Sequence, residues 1–375
     1  MKTIGILTFH AAHNYGSMLQ NYALQQELMK MGYAPETINL RTAVQKEIYN
    51  YFEDFCQMRD KKHIARKIVF YPWKESLVKK YQLFEEFLTK ELRLSAEINR
   101  YEDIKTLHSY DAYIVGSDQC WNVDADDFDW SYFLDFVPTD SLRLSYAISM
   151  GPNPKKSFVE QACIEGKVAN ALRKFDGISV RDEDTMSIVK QITNSEVSVD
   201  IHVDPTMLLT KDEWERKIQK DPIVKGSYIF FYNPYWIANV FEQASKLGKL
   251  MGMKVVVSLP NMIGLLKYPQ FENVFAVGPW EFLNLVKNAS YVIGRSFHLV
   301  VFSMIFQKKF IAVDAMGDSR IRQLLTDTGM EDCASKDVIS QEVIDRLDKL
   351  DYRKSLDWLN NERTRSFKWL EEHIN

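Results

Sequence analysis

The chain lacks most of the features that announce a function at first sight. Its four cysteines, Cys56, Cys120, Cys163 and Cys333, lie far apart with no C-x-x-C pair, which argues against a disulfide framework and a zinc knuckle and fits a reducing cytoplasm. Long apolar runs are missing too. The start MKTIGILTFH breaks at His10, and the run at 299–306 ends at Gln307-Lys308-Lys309, so a signal peptide and a membrane span are not expected. There is no surplus of positive charge: 47 Lys+Arg face 51 Asp+Glu, which leaves no global field to hold a polyanion and makes nucleic acid an unexpected partner. Neither G-x-G-x-x-G nor a P-loop occurs, and no internal repeat or low-complexity tract is present. The expectation is a soluble, cytoplasmic, globular protein.

What the chain does have is apolar content and rhythm. Its 375 residues are 46% hydrophobic, more than one core needs, so two domains are expected. Short β-branched runs alternate with amphipathic stretches: KTIGILTF, then YGSMLQNYALQQELMKMG with Gly32 near its end, then ETINL. The rhythm returns in AYIVG, RLSYAI, FVEQACIEGKVANALRKF, GISV and VSVD. A second series begins near Asp204-Pro205 with SYIFFY, KVVVSL, VFAV, PWEFLNLVKNA, YVIG, HLVVFSMIF and FIAV. Such alternation predicts parallel sheets, hence an α/β protein of two Rossmann-like doubly wound domains. The boundaries read as 1–203 for the first domain and 204–355 for the second. Leu356, Trp358, Leu359, Phe367, Trp369 and Leu370 then predict a helix over 356–375 that packs back on the first domain.

Residues 43–93 interrupt the first series with a helical insertion carrying Arg59, Lys61, Lys62, Arg66, Lys67, Lys79 and Lys80. Peripheral docking on a membrane is one reading. A solvated helix face is the plainer one and is preferred, because Glu75, Glu85 and Glu86 are interspersed.

Ligands of open α/β sheets bind beyond the carboxyl ends of the strands, so the residues just after each strand are the candidates. After the first strand come Thr8-Phe9-His10 and then His13-Asn14-Tyr15-Gly16-Ser17, where Gly16 would let backbone approach a ligand at a helix start. AYIV leads into Gly116-Ser117-Asp118-Gln119-Cys120-Trp121-Asn122, in which Trp121 could stack on a sugar. GISV leads into Arg181-Asp182-Glu183, and YVI into Gly294-Arg295-Ser296-Phe297-His298. Each has a plainer reading as a turn and helix cap: Asn14 and Ser296 are good caps, and Asp182 suits a first turn. Four polar clusters at strand ends, two of them carrying arginine, raise the weight of the functional reading.

Taken together, TFHAAHNYGSMLQNYALQ, YDAYIVGSDQCWN, LSYAISMG, ISVRDED, VDPTMLL and GPWEFLNLVKNASYVIGRSFHLVVFSMIFQKKF resemble the polysaccharide pyruvyl transferase family over nearly the whole chain. The turn here is of the Ser-Phe-His type, whereas members most clearly associated with pyruvylation often read Arg-Leu-His; Arg295 lies one residue before Ser296. The resemblance implies two domains facing a cleft, like the B-type glycosyltransferases, with an acceptor side in the first and a donor side in the second. It also implies transfer of pyruvate from phosphoenolpyruvate to two hydroxyls of a sugar in a cell-surface polysaccharide or its precursor, forming a ketal, without a cofactor.

Phosphoenolpyruvate carries a phosphate and a carboxylate, which call for guanidinium forks and free N–H groups. Arg181, Arg295 and Ser296 are assigned to the donor. Ketal formation needs a proton for the enol methylene, assigned to His298, and a base or orienting group for the acceptor, assigned to Asp118. Asn14, Tyr15, Gly16 and Trp121 are expected to hold the glycan or lipid-linked acceptor. The acidic run Asp124, Asp126, Asp127, Asp129 could bind a metal, but Phe128 and Trp130 interrupt it and an exposed loop is preferred. Two other functions stay open: a glycosyltransferase of the same fold with a nucleotide-sugar donor, and a glycan-binding protein without catalysis.

Overall fold

The computed structural model describes residues 1–49, 68–152, 162–335 and 339–375; Arg59, Lys61, Lys62, Arg66 and Lys67 of the basic insertion lie outside them. The chain divides into two compact units, Met1–Tyr49 with Phe87–Leu209 and Leu359–Asn375, and Asn50–Glu86 with Thr210–Trp358. Among the described residues no helix is long and apolar enough to cross a membrane.

The first unit opens with β1 (Thr3–Leu7), α1 (Tyr15–Lys30), β2 (Ala34–Thr37) and α2 (Ala43–Tyr49), and the division at 86/87 falls inside α3 (Lys74–Glu91). It continues with β3 (Ala112–Val115), β4 (Leu142–Ile148), α4 (Ala162–Leu172), β5 (Gly177–Val180), α5 (Glu183–Ile192) and β6 (Asp200–Ile201). The six strands pair in parallel in the order β2-β1-β3-β4-β5-β6. β3 and β5 are buried at every residue, as parallel strands covered on both faces must be. Leu7 pairs with Val115, and Ile148 with Val180 past an irregularity after Ser145. This alignment puts Thr8, Gly116, Ser149 and Arg181 along one edge.

The second unit holds α6 (Lys211–Lys217), β7 (Tyr228–Tyr232), α7 (Ala238–Met251), β8 (Lys254–Val257), α8 (Met262–Lys267), β9 (Glu272–Asn273) and α9 (Pro279–Asn288). Then follow β10 (Tyr291–Gly294), α10 (Phe297–Ile305), β11 (Lys309–Val313), α11 (Ser319–Thr328), β12 (Ala334–Ser335) and α12 (Gln341–Leu347). Its sheet is also parallel, in the order β12-β11-β10-β7-β8-β9. Gly294 pairs with Tyr232 and with Ala312, so β7 and β10 end level and β11 runs one residue farther, to Val313. The outer strands are short: where VFAV predicts a strand, only Glu272-Asn273 pair with β8, and Val274 N–H adds one bond to Val257 O at 2.9 Å.

Two boundaries differ from the sequence reading. The insertion up to Glu86 groups with the second unit because its apolar face finds partners there: Phe70 and Leu77 are buried with Phe275. The first unit also runs on to Leu209, since Asp204 and Thr206 complete its polar edge. The last helix, α13 (Arg353–Ile374), is fixed within that unit from Leu359 onward. Trp369 Nε1 donates to Asp200 at 3.0 Å, Arg363 donates to the carbonyls of Met207 and Leu209, and Lys2 Nζ donates to Ile374 O.

Candidate functional site

At the carboxyl edge of the first sheet, β3 must turn sharply. Gly116 has φ +112, and a Cβ there would lie 2.5 Å from Tyr146 O, so only glycine fits. The turn continues through Asp118, itself left-handed at φ 71, which sends its carboxylate toward α1. Ser17, in the first turn of that helix, donates its hydroxyl to Asp118 Oδ2 at 2.5 Å. Arg181, directly after β5, donates Nη1 to Asp204 Oδ2 at 2.8 Å and places Nη2 3.6 Å from Asp118 Oδ1. Asp204 collects more bonds: Ser117 Oγ donates to Oδ2, and Thr206 donates both its N–H and its hydroxyl to Oδ1. Gln20 braces the far side by donating to Thr8 Oγ1 and accepting from Ser117 N–H.

One guanidinium therefore serves two carboxylates in a nearly dry setting. The side chains of Arg181 and Asp204 are 2% and 0% exposed, and that of Asp118 is 11% exposed. Asp118 is the member that reaches the rim. A charge-assisted network of this kind holds its carboxylate in one orientation, ready to accept a hydroxyl proton or orient a hydroxyl.

This edge corrects three expectations. Arg181 is engaged by Asp204 and Asp118 and buried, so it is a holder of carboxylates rather than an open fork for a donor. Trp121 is 0% exposed, with its ring stacked on Phe133 at 5.6 Å and its Nε1 donating to Tyr132 O; it is core and offers no face to a sugar. Tyr15 is 1% exposed, so it too offers no open ring face. Asn14 is the cap of α1, accepting from the N–H groups of Gly16 and Ser17. Asp182 caps α5 and also accepts from Ser149 Oγ at 2.8 Å. Asp129 caps the short 3-10 turn Trp130–Phe133, and among the described residues no group of His, Cys, Asp or Glu is arranged to hold a metal ion.

Asp204 and Thr206 were not singled out from the sequence, and Ser17 and Ser117 were named only as members of their strand-end clusters, with no role assigned. The Asp204-Pro205-Thr206 stretch carried a signal, since Asp before Pro and Thr is the pattern of a capped turn.

The second sheet builds a different edge. A Cβ on Gly294 would lie 1.9 Å from Tyr232 O, so β10 can leave the sheet beside β7 only through glycine. Arg295 follows, partly exposed, with Nη2 3.6 Å from where a Cβ on Gly317 would stand. Ser296 occupies the N-cap position of α10 with extended backbone, φ −153, but makes no capping bond, contrary to its reading as a cap. His298, the second residue of α10, is 8% exposed, with its ring edge-on to Phe297 at 5.3 Å. Next to this turn along the sheet, Asp314 accepts from Asn239 Nδ2, and Asp318 caps α11 while holding Arg320 through two bonds of 3.0 and 2.7 Å. Farther along, at the end of β8, Lys80 of α3 donates Nζ to Ser258 O at 3.4 Å and Val277 O at 3.2 Å. Burial pushes its pKa down to about 7 against the attraction of Glu281.

Both edges lie within one family match. The sequence model of the polysaccharide pyruvyl transferases covers residues 14–315. The chain belongs to that family. As a polysaccharide pyruvyl transferase family member it is a transferase acting on polysaccharides, and the matched span contains Asp118, Arg181, Asp204, Arg295 and His298. Among curated proteins none matches significantly.

Solved structures place the fold. The S. aureus MnaA protein, solved with UDP, is 13% identical with a TM-score of 0.51, covering 100% of this chain and 96% of its own. The UDP-GlcNAc 2-epimerase of Methanocaldococcus jannaschii is 12% identical, TM-score 0.51, over 94% and 93%. An alpha-glucosyltransferase solved with UDP and DNA is 12% identical, TM-score 0.51, over 99% and 95%. Two parallel six-stranded sheets flanked by helices thus resemble the B-type glycosyltransferase fold. At this identity the likeness concerns architecture.

Proposed function

We propose that this polysaccharide pyruvyl transferase family member moves the pyruvyl group of phosphoenolpyruvate onto two hydroxyls of one sugar, in a glycan or lipid-linked saccharide precursor made in the cytoplasm. The observation that carries the reading is the placement of Arg295 just before the N-cap of α10 and of His298 in its first turn, within the family match. An enol phosphate needs an anion site and an acid side by side. Arg295, Ser296 and the N–H groups that begin α10 suit the anionic donor. His298 suits delivery of a proton to the methylene carbon, which makes C2 electrophilic.

In the acceptor step the first hydroxyl adds to C2 and loses its proton, with Asp118 as acceptor or orienting group. The second hydroxyl then displaces phosphate from the same carbon. Two C–O bonds form, the bond to phosphate breaks, and of the two hydroxyl protons one balances the new methyl group while the other leaves with phosphate. Arg181 and Asp204 take the role of positioning Asp118. Asn14 and Gly16 shape the start of α1 next to it. No metal or cofactor enters the scheme.

Incubating the protein with phosphoenolpyruvate and a panel of glycan and lipid-linked acceptors tests this. The expected result is inorganic phosphate together with a pyruvyl mass increment on the acceptor, unaffected by EDTA. Release of a nucleoside diphosphate from a nucleotide sugar would instead make it a glycosyltransferase, and acceptor binding without turnover of any donor would make it a glycan-binding protein.

A further inference from the structure

One proton of the ketal-forming reaction still lacks a carrier. When the second hydroxyl displaces phosphate its O–H bond must break beside the bound donor, and the step calls for a base on the same sheet edge as Arg295 and His298. The chain leaving β11 offers two carboxylates. Asp318 is committed, because it caps α11 and holds Arg320 through paired bonds. Asp314 is not. Among the described residues it forms no ion pair, its side chain makes no capping bond to the 3-10 turn Ala315–Gly317 that it begins, and it is partly exposed.

The carboxylate is nevertheless held in one orientation. Asn239, in the first turn of α7, donates Nδ2 to its two oxygens at 3.3 and 3.2 Å, Gln243 donates to Asn239 Oδ1 at 3.1 Å, and Gln243 Oε1 accepts from Ile339 N–H at 2.8 Å. Neutral groups thus orient this anion without cancelling its charge, whereas Arg181 supplies a cation to Asp118 and Asp204. Asp314 also sits where a ligand of the donor turn would be in reach. Gly294 pairs with Ala312, so Ser296 and Asp314 each lie two residues past that pair on adjacent strands. Arg295 reaches the same turn: its Nη2 is 3.6 Å from where a Cβ on Gly317 would stand, and Gly317 N–H donates to Asp314 O at 3.1 Å. A cation and an anion that border one turn would ordinarily pair with each other. Here neither forms an ion pair among the described residues, and both charges are left for a ligand.

We propose that Asp314 is a further catalytic residue, accepting the proton of the hydroxyl that displaces phosphate. The oxygen of that hydroxyl bonds to C2, the bond from C2 to the phosphate oxygen breaks, and the proton passes through Asp314 to the departing phosphate, which regenerates the carboxylate. The assignment rests on the pyruvyl-transfer reading and gives the donor-holding edge a base of its own beside its acid. It also has a signature that a structural side chain lacks: a carboxylate next to an anionic donor opposes donor binding while it promotes turnover.

Two variants of the full chain test this. Asp314→Asn keeps an oxygen for Asn239, and Asp314→Gly suits the left-handed backbone at φ 52, so both are expected to melt near the parent. Phosphate release from phosphoenolpyruvate with the acceptor panel, phosphoenolpyruvate affinity by calorimetry and melting temperature are measured on parent and variants. Turnover is expected to fall about a hundredfold or more in both variants, and added sodium formate to restore that of Asp314→Gly about tenfold or more without accelerating the parent. Phosphoenolpyruvate is expected to bind Asp314→Asn as tightly as the parent or up to about threefold tighter, because a like charge is gone. An Asp314→Asn enzyme with the parental rate, or a rate loss that tracks a loss of folded protein and that formate does not restore, overturns the proposal and leaves pyruvyl transfer standing. A parent that releases no phosphate from phosphoenolpyruvate with any acceptor overturns the pyruvyl-transfer reading, and the role of Asp314 with it.

Discussion

Both units bury basic side chains at the carboxyl edges of their sheets: Arg320 in the second is held by the carboxylate of Asp318 much as Arg181 in the first is held by Asp204, but Lys80 is handled differently. Arg181 in the first meets the carboxylates of Asp204 and Asp118, and a guanidinium stays charged in any protein setting. Lys80 in the second donates to the main-chain carbonyls of Ser258 and Val277, and burial pulls its pKa down to about 7. Two carboxylates within hydrogen-bond or ion-pair range stabilise the charge of Arg181, whereas at Lys80 desolvation outweighs the attraction of Glu281. The first edge is therefore a fixed ionic scaffold with Asp118 at its rim. The second leaves its more exposed cation, Arg295, at a helix start.

The largest effect is expected from breaking the ionic scaffold. Arg181→Met leaves two carboxylates uncompensated and should cost about 3–5 kcal/mol of stability, read by denaturant unfolding; a loss under about 1 kcal/mol would mean that solvent reaches the site. His298→Gln should lower turnover by about a hundredfold to ten-thousandfold with donor binding and melting temperature retained. If stability falls while the folded fraction keeps its rate, His298 is a packing residue.

Arg295→Ala sharpens the contrast with Arg181. It should weaken phosphoenolpyruvate binding by about 1.5–3 kcal/mol and leave stability within about 0.5 kcal/mol, as measured by calorimetry and melting; equal stability losses in the two arginine variants would erase the distinction. Lys80 gives a pH signature. Its folded pKa of about 7 lies below the ordinary value of 10.5, so between those values the unfolded chain holds one proton more and stability rises with pH, at most about 1.4 kcal/mol per unit. Below pH 7 both states are protonated and the contribution is flat. Lys80→Met should remove that rise; an unchanged profile would assign it to other groups. The smallest effect belongs to Asn14→Ala, a lost cap worth about 1 kcal/mol. A rise in acceptor KM beyond that change would give Asn14 a ligand as well.

The alternation of strands and helices was legible because a buried parallel strand such as AYIV or YVIG must be apolar throughout and ends where polar residues begin. That located Asp118, Arg181, Arg295 and His298 at the carboxyl edges. Short edge strands were less legible: β9 and β12 have two residues each, and pairing on one side leaves little pattern. Trp121 misled because an aromatic beside polar groups reads the same whether it stacks on a ligand or, as here, on Phe133. The insertion was assigned to the wrong neighbour because its apolar face, Phe70 and Leu77, names no partner by itself.

The sequence alone thus determined the fold class, the family and the places where polar groups gather, all of which follow from local periodicity and contiguous motifs. Tertiary structure decided which of those groups pair. Arg181 meets Asp204 across 23 positions and Ser17 meets Asp118 across 101; whether a guanidinium is a fork for a ligand or the centre of an ion pair depends on contacts that only the closed sheet brings within a few ångströms.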